Sequence, residues 1–144
     1  MDSSVATQLA AKLHQVHQSL GRRVAQRLLQ AYPELTQALR LEESYPAVDR
    51  LSEVAVERLL ELVRSVLLFE LPSLADSELR WAVQVLPSSG VTYQHQSSMV
   101  RWFFEEVRQL QLSAAELQLS HELERYFLKV VAQVYSSLQA GGRP

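Results

Sequence analysis

Apolar side chains recur at three- and four-residue steps through Val5, Leu9, Leu13, Val16, Leu20, Val24 and Leu28, which is the spacing of one helix face and predicts a helix over about 4–31. Gly21 interrupts this stripe at a cost of about 1 kcal/mol relative to alanine, so a bend or a division into two helices is expected there. Pro33 follows and opens a short helix over PELTQALRL, because proline suits a first helical turn and forces Tyr32 out of helical geometry. Ser44 and Pro46 repeat the signal before a second long helix. Its first half is amphipathic through Val48, Leu51, Ala55, Leu59 and Leu62, and from Leu59 to Leu71 it is apolar over most of its surface, so this half should be buried. Glu61, Arg64 and Glu70 mark a solvent strip along it.

Leu71-Pro72 ends that helix, and Ser73 with Asp76 reads as a start for a shorter one over Leu74–Leu86, with Trp81 at a neighbour or a pocket lip. Pro87, Ser88, Ser89 and Gly90 punctuate the chain most clearly. Thr92 is then the N-cap of an aromatic helix carrying Met99, Val100, Trp102, Phe103, Phe104, Val107 and Leu110. A helix this aromatic needs neighbours on most of its circumference and is expected to be the central packing element. Ser113 with Glu116 forms a capping-box pattern for the last helix, whose stripe runs through Leu117, Leu119, Leu123, Tyr126, Phe127, Val130, Val131, Val134 and Leu138. Gly141, Gly142 and Pro144 close the pattern. No segment alternates as a strand would, so the fold class is all-α.

Composition narrows the function more than the fold. A length of 144 residues with 47% hydrophobic and 21% charged residues is that of one globular domain. A formal charge of −2 with interleaved signs supplies no broad positive field, so nucleic acid is not an expected partner. The chain has no cysteine, which removes disulfides and thiolate chemistry and fits a reducing compartment, the cytoplasm. The most apolar run, Val63–Leu74, is broken by Arg64, Glu70 and Pro72, and no secretion signal or membrane span is expected.

Candidate chemistry is sparse. There is no glycine-rich phosphate loop, HExxH pair, GxSxG elbow or zinc-ligand cluster, so no enzyme is expected. His14 and His17 stand one turn apart but need a third ligand to hold a metal, and they read as exposed. Arg22, Arg23 and Arg27 read as a solvated face. Glu105 and Glu106 are adjacent and so point in different directions rather than forming a carboxylate pair. His95, in the first turn of the aromatic helix, reads as a polar cap, with a sensor or ligand role as the alternatives.

The residues also resemble a family. YPEL after a long helix, then ELRWAVQV, GVTYQHQSSMVRWFFEEV and HELERYFLKVVAQVY are similar to the amino-terminal domain of RsbR-type stressosome proteins, over roughly Leu20 to Tyr135. The resemblance implies a globin-like bundle of about five to six helices, one domain over 1–140 with 141–144 as a tail or the start of a linker. It also implies a non-haem sensory or protein-interaction domain, usually a homodimer joined through its last helix to a signalling partner or output domain. A haem globin would place its proximal histidine on the short helix before Gly90-Val91, and Leu79–Ser89 has none; no cofactor is therefore expected, with a haem- or small-ligand-binding sensor as the alternative. Leu9, Leu13, Val16 and Leu20 with Val130, Val134 and Leu138 are the expected dimer interface. Phe69, Trp81, Met99, Trp102 and Phe103 are the candidate walls of a small apolar pocket in the place of the haem, the competing reading being a packed core.

Overall fold

In the computed structural model, which describes residues 2–38, 46–69, 77, 80 and 91–141, the first apolar stripe folds as two helices. These are α1, Ser3–Gln15, and α2, His17–Ala31, and Asp2 caps α1 by accepting from the Ser4 and Val5 backbone N–H groups. The division falls at Val16 (φ −114°, ψ 13°) and not at Gly21. There the His17 ring donates from Nδ1 to the His14 carbonyl at 2.8 Å, holding the turn between the helices. Gly21 is instead a contact residue, buried inside α2, where an added Cβ would overlap Ser52 Oγ and stand 3.2 Å from Glu57 Cγ. The missing side chain lets a second helix come close.

That second helix runs unbroken through α4, Ala47–Leu51, a π-helical turn over Ser52–Val56, and α5, Glu57–Phe69, after the brief α3, Leu35–Ala38. In the π turn the Glu57 N–H reaches back to the Ser52 carbonyl, one residue further than in an α-helix, and the widened turn is the part that faces Gly21. Leu59, Leu60, Val63, Val66 and Leu67 are buried as expected, but Leu68 and Phe69 at its end are exposed. Arg64 is not on a solvent strip: its guanidinium lies against α1, donating from Nε to the Ala10 carbonyl at 3.2 Å and pairing with Glu61 at 3.0 Å. The expected helix over Leu74–Leu86, Glu70 and the Pro87–Gly90 turn lie outside the described residues except for Ser77 and Arg80, whose backbone is helical.

The aromatic helix is α6, Tyr93–Val107, and the final helix is α7, Ala114–Gly141, which continues through Gly141. Both expected caps form. Thr92 Oγ1 accepts from the His95 N–H at 3.3 Å, and Ser113 Oγ accepts from the Glu116 N–H at 3.1 Å. α6 lies between α2 and α7, while α1 packs on α5 and α7. The carboxy-terminal half of α6 carries the core: Phe103 and Phe104 meet edge to face at 5.1 Å, and Phe104 packs on Phe127 of α7 at 6.1 Å. Each fully buried aromatic of this kind contributes about 2–3 kcal/mol through surface removed from water. The described residues contain no strand, and the architecture is an all-α bundle.

Candidate functional site

Five of the seven residues singled out as an interface are in the chain's own core. Leu9, Leu13, Leu20, Val130 and Val134 are each at most 5% exposed, and Val16 is half-buried at the junction of α1 and α2. Their apolar stripes are covered by α5, α6 and α7 of the same chain, so they are not free to face a second copy. The Leu138 side chain lies outside the described residues. The described candidate pocket walls differ in burial. Phe103 is fully buried against Phe104, Phe69 is 65% exposed, Met99 and Trp102 are half-buried on α6, and Trp81 lies outside the described residues. For Phe103, the packed-core reading is the correct one.

What the structure assembles instead is a continuous series of side chains between α2, the turn after it and the amino-terminal half of α6. That half of α6 is polar and yet buried: His95, Gln96, Ser97 and Ser98 are each at most 6% exposed. Buried polar groups require partners: Ser97 donates to the Gln94 carbonyl of its own helix at 3.3 Å, while His95, Gln96 and Ser98 also reach groups outside α6. Gln96 donates from Nε2 to the Tyr135 hydroxyl of α7 at 2.9 Å, and Ser98 Oγ meets the Tyr32 hydroxyl at 2.8 Å while accepting from Arg101 at 3.2 Å. Burial raises the Tyr135 hydroxyl above the ordinary tyrosine value, and the Gln96 hydrogen bond opposes this in part.

His95 is the centre of the series. Its Nδ1 accepts from the Thr92 backbone N–H at 2.9 Å, completing the capping box, and its Nε2 lies 2.9 Å from Glu34 Oε2 in the turn between α2 and α3. A backbone N–H can only donate, so Nδ1 carries a lone pair and Nε2 carries the proton that goes to Glu34. That hydrogen bond is the largest of the influences that hold the Glu34 carboxyl below the usual range, the Glu34 backbone N–H adding to it. The Tyr32 ring meets His95 edge-on at 4.8 Å and stacks at 5.9 Å on Trp102, over which the Arg27 guanidinium sits at 5.0 Å. The result is an unbroken series from Glu34 through His95, Tyr32 and Trp102 to Arg27.

The basic residues of α2 are a solvated face as expected at Arg22 and Arg23, which are exposed, with Arg27 half-buried, but all three are paired with carboxylates. Arg22 pairs with Asp49 of α4 at 2.7 Å, Arg23 with Glu106 at 3.1 Å, and Arg27 with both Glu105 and Glu106 of α6 at 3.2 and 3.1 Å. Glu105 and Glu106, expected to point in different directions, both meet the two ends of the one Arg27 guanidinium fork. A further ion pair ties α1 to the start of α7. Lys12 Nζ reaches Glu116 Oε1 at 2.6 Å and the Gln111 carbonyl at 2.8 Å, and Glu116 is 1% exposed. Burial by itself pushes the Glu116 carboxyl up, but the Lys12 ammonium and the Ser113 N–H and hydroxyl more than offset it, and the net direction is down.

The series joins α2, the turn after it and α6 through side-chain contacts. Both nitrogens of His95 are engaged, which leaves no lone pair to bind iron or to take a proton from a nucleophile in this arrangement. His14 and His17 stack at 5.5 Å, and His17 Nε2 stands 3.9 Å from Glu57; no group of three metal-ligating side chains occurs among the described residues. No helix among the described residues is long and apolar enough to cross a membrane. Sequence reasoning found His95 and Thr92 but missed Tyr32, Glu34, Ser98 and Lys12, whose partners are 61 to 104 positions away along the chain. Compared with known proteins, the chain matches no family model, no curated protein and no solved structure.

Proposed function

We propose that this chain is a non-catalytic sensory and protein-interaction module of the non-haem globin type, working as a homodimer and passing a signal to a partner protein or fused output domain through small movements of its helices. The observation that carries this reading is the use of His95. In a polar, buried stretch where an enzyme would keep a base free, both ring nitrogens are spent on joining the cap of α6 to Glu34. The residues around it do the same, so that a displacement at one helix is felt at its neighbours.

The order of elements supports the same reading: a long amino-terminal stripe, a short helix after YPEL, a buried helix, and an aromatic helix entered after Gly90-Val91 and packed on a long final helix. With Leu9, Leu13, Leu20, Val130 and Val134 committed to the core, a partner surface has to draw on the large apolar side chains left exposed, which among the described residues are Leu68, Phe69, Tyr93 and Leu117. The non-haem part is tested by expressing the full chain with haem supplied and recording its absorption. The expected spectrum has no Soret band after purification, and a band retained through purification would overturn it in favour of a haem sensor.

A further inference from the structure

The hydrogen bonds of His95 fix more than its position. We infer that His95 makes the first turn of α6 a proton-operated latch: a proton added at Nδ1 releases Thr92 while the ring stays bound to Glu34. The latch rests on the hydrogen-bond directions alone and holds whether or not the chain is a dimeric sensor.

With the Thr92 N–H donating to Nδ1 and Nε2–H donating to Glu34, the ring is neutral and its one ring-nitrogen lone pair is engaged in the cap. A second proton can go only to Nδ1. It would then point at the Thr92 N–H from 2.9 Å, donor against donor, and that bond must open. The reciprocal bond from the His95 N–H to Thr92 Oγ1, at 3.3 Å, depends on the same local geometry and loosens with it. The opposite side of the ring is strengthened, because Nε2–H to Glu34 becomes a charge-assisted pair.

Among the described residues the surrounding groups have consistent roles. Glu34, from the α2–α3 turn, is the one anion bonded to the ring. Tyr32, at the end of α2, presents its ring to the imidazole. Arg101 of α6 is held by Ser98, and Tyr135 of α7 by Gln96, with Tyr93 packed on Tyr135 at 5.3 Å. A ring that shifts towards Glu34 also displaces Tyr32, and through it Trp102 and Arg27, which carries the change into α2.

The test is a nuclear magnetic resonance titration of the full chain from about pH 8 to 5, the interval in which histidine ordinarily changes charge. The Thr92 amide proton is expected to move upfield, and the first-turn α-carbons of α6 towards coil values, with the same midpoint as the His95 ring carbons. Glu34, held low by its bond to His95, stays ionised over this interval and cannot supply the response. His95→Gln keeps an acceptor for the Thr92 N–H in the capping-box manner but cannot be protonated, and it should abolish the response. A Thr92 amide that does not follow the ring, a ring that does not titrate in the interval, or an unchanged response in H95Q overturns the latch. A monomeric chain leaves it intact.

Discussion

Lys12→Met removes the ammonium that neutralises Glu116 and keeps most of the aliphatic stem. In the native chain Lys12 Nζ lies 2.6 Å from Glu116 Oε1 and 2.8 Å from the Gln111 carbonyl, and the other carboxylate oxygen, Oε2, has no hydrogen-bond partner among the described residues. After substitution a carboxylate that is 1% exposed retains only the Ser113 donors. Breaking a fully buried pair from one side costs about 3–5 kcal/mol. The Lys12 side chain is 38% exposed, so water screens part of the attraction in the native state and a loss of about 2–3 kcal/mol is expected. In a domain of this size that lowers Tm by about 5–10 °C. Urea unfolding at neutral pH, followed by circular dichroism with an unchanged m-value, measures it. Glu116→Gln preserves the capping box and removes the charge, so K12M/E116Q should be no less stable than K12M. The pH dependence provides a second check. The folded-state Glu116 carboxyl is lowered, so its contribution is complete above the ordinary carboxylate value of 4.5 and is lost as pH falls through the folded value. In K12M burial remains without its counter-charge, and the difference from the native chain should shrink in acid. A difference below about 0.5 kcal/mol at neutral pH, or one that does not shrink, would refute the reasoning.

Gly21→Ala brings a Cβ into overlap with Ser52 Oγ; a packing cost of about 1–3 kcal/mol, set against a helix-propensity gain of about 1, gives a net loss. Removing the oxygen leaves Ser52 Cβ at 3.6 Å, so G21A/S52A should unfold at higher urea than G21A, and equal midpoints would exclude the overlap. Trp102→Ala strips the face on which Tyr32 and Arg27 lie and should cost about 2–3 kcal/mol in the same assay. An effect within about 0.5 kcal/mol would mean that this stack does not hold α2 to α6. The side-chain carboxyl carbon of Glu34 should titrate below the ordinary value of 4.5 and move up in His95→Leu; an unmoved midpoint would show that the His95 hydrogen bond is not the cause.

The parts legible in the sequence are those decided within one helical turn. Thr92 with His95 and Ser113 with Glu116 are three residues apart, so the caps could be read from spacing alone, and so could the helical stripes. What escaped depends on which distant element arrives. The stripe through Leu9, Leu13 and Leu20 looks the same whether its cover is another helix of the chain or a second copy, and here the cover is internal. Gly21 was expected to interrupt a helix because propensity treats glycine as a weak point, whereas packing against Ser52 makes it a contact that the helix accommodates. Period placed Arg22, Arg23 and Arg27 to one side of the apolar stripe, but it could not reveal that Asp49, Glu105 and Glu106 would be carried to meet them. Glu34 carries no local mark at all, since its role appears only when α6 brings His95 against the α2–α3 turn.

Self-association is the property on which the proposed role depends most, and sedimentation equilibrium of the full chain over a micromolar range measures it without reference to any ligand. A single species at twice the 16.4 kDa chain mass is expected. A monomer throughout that range would contradict a module that works as a pair.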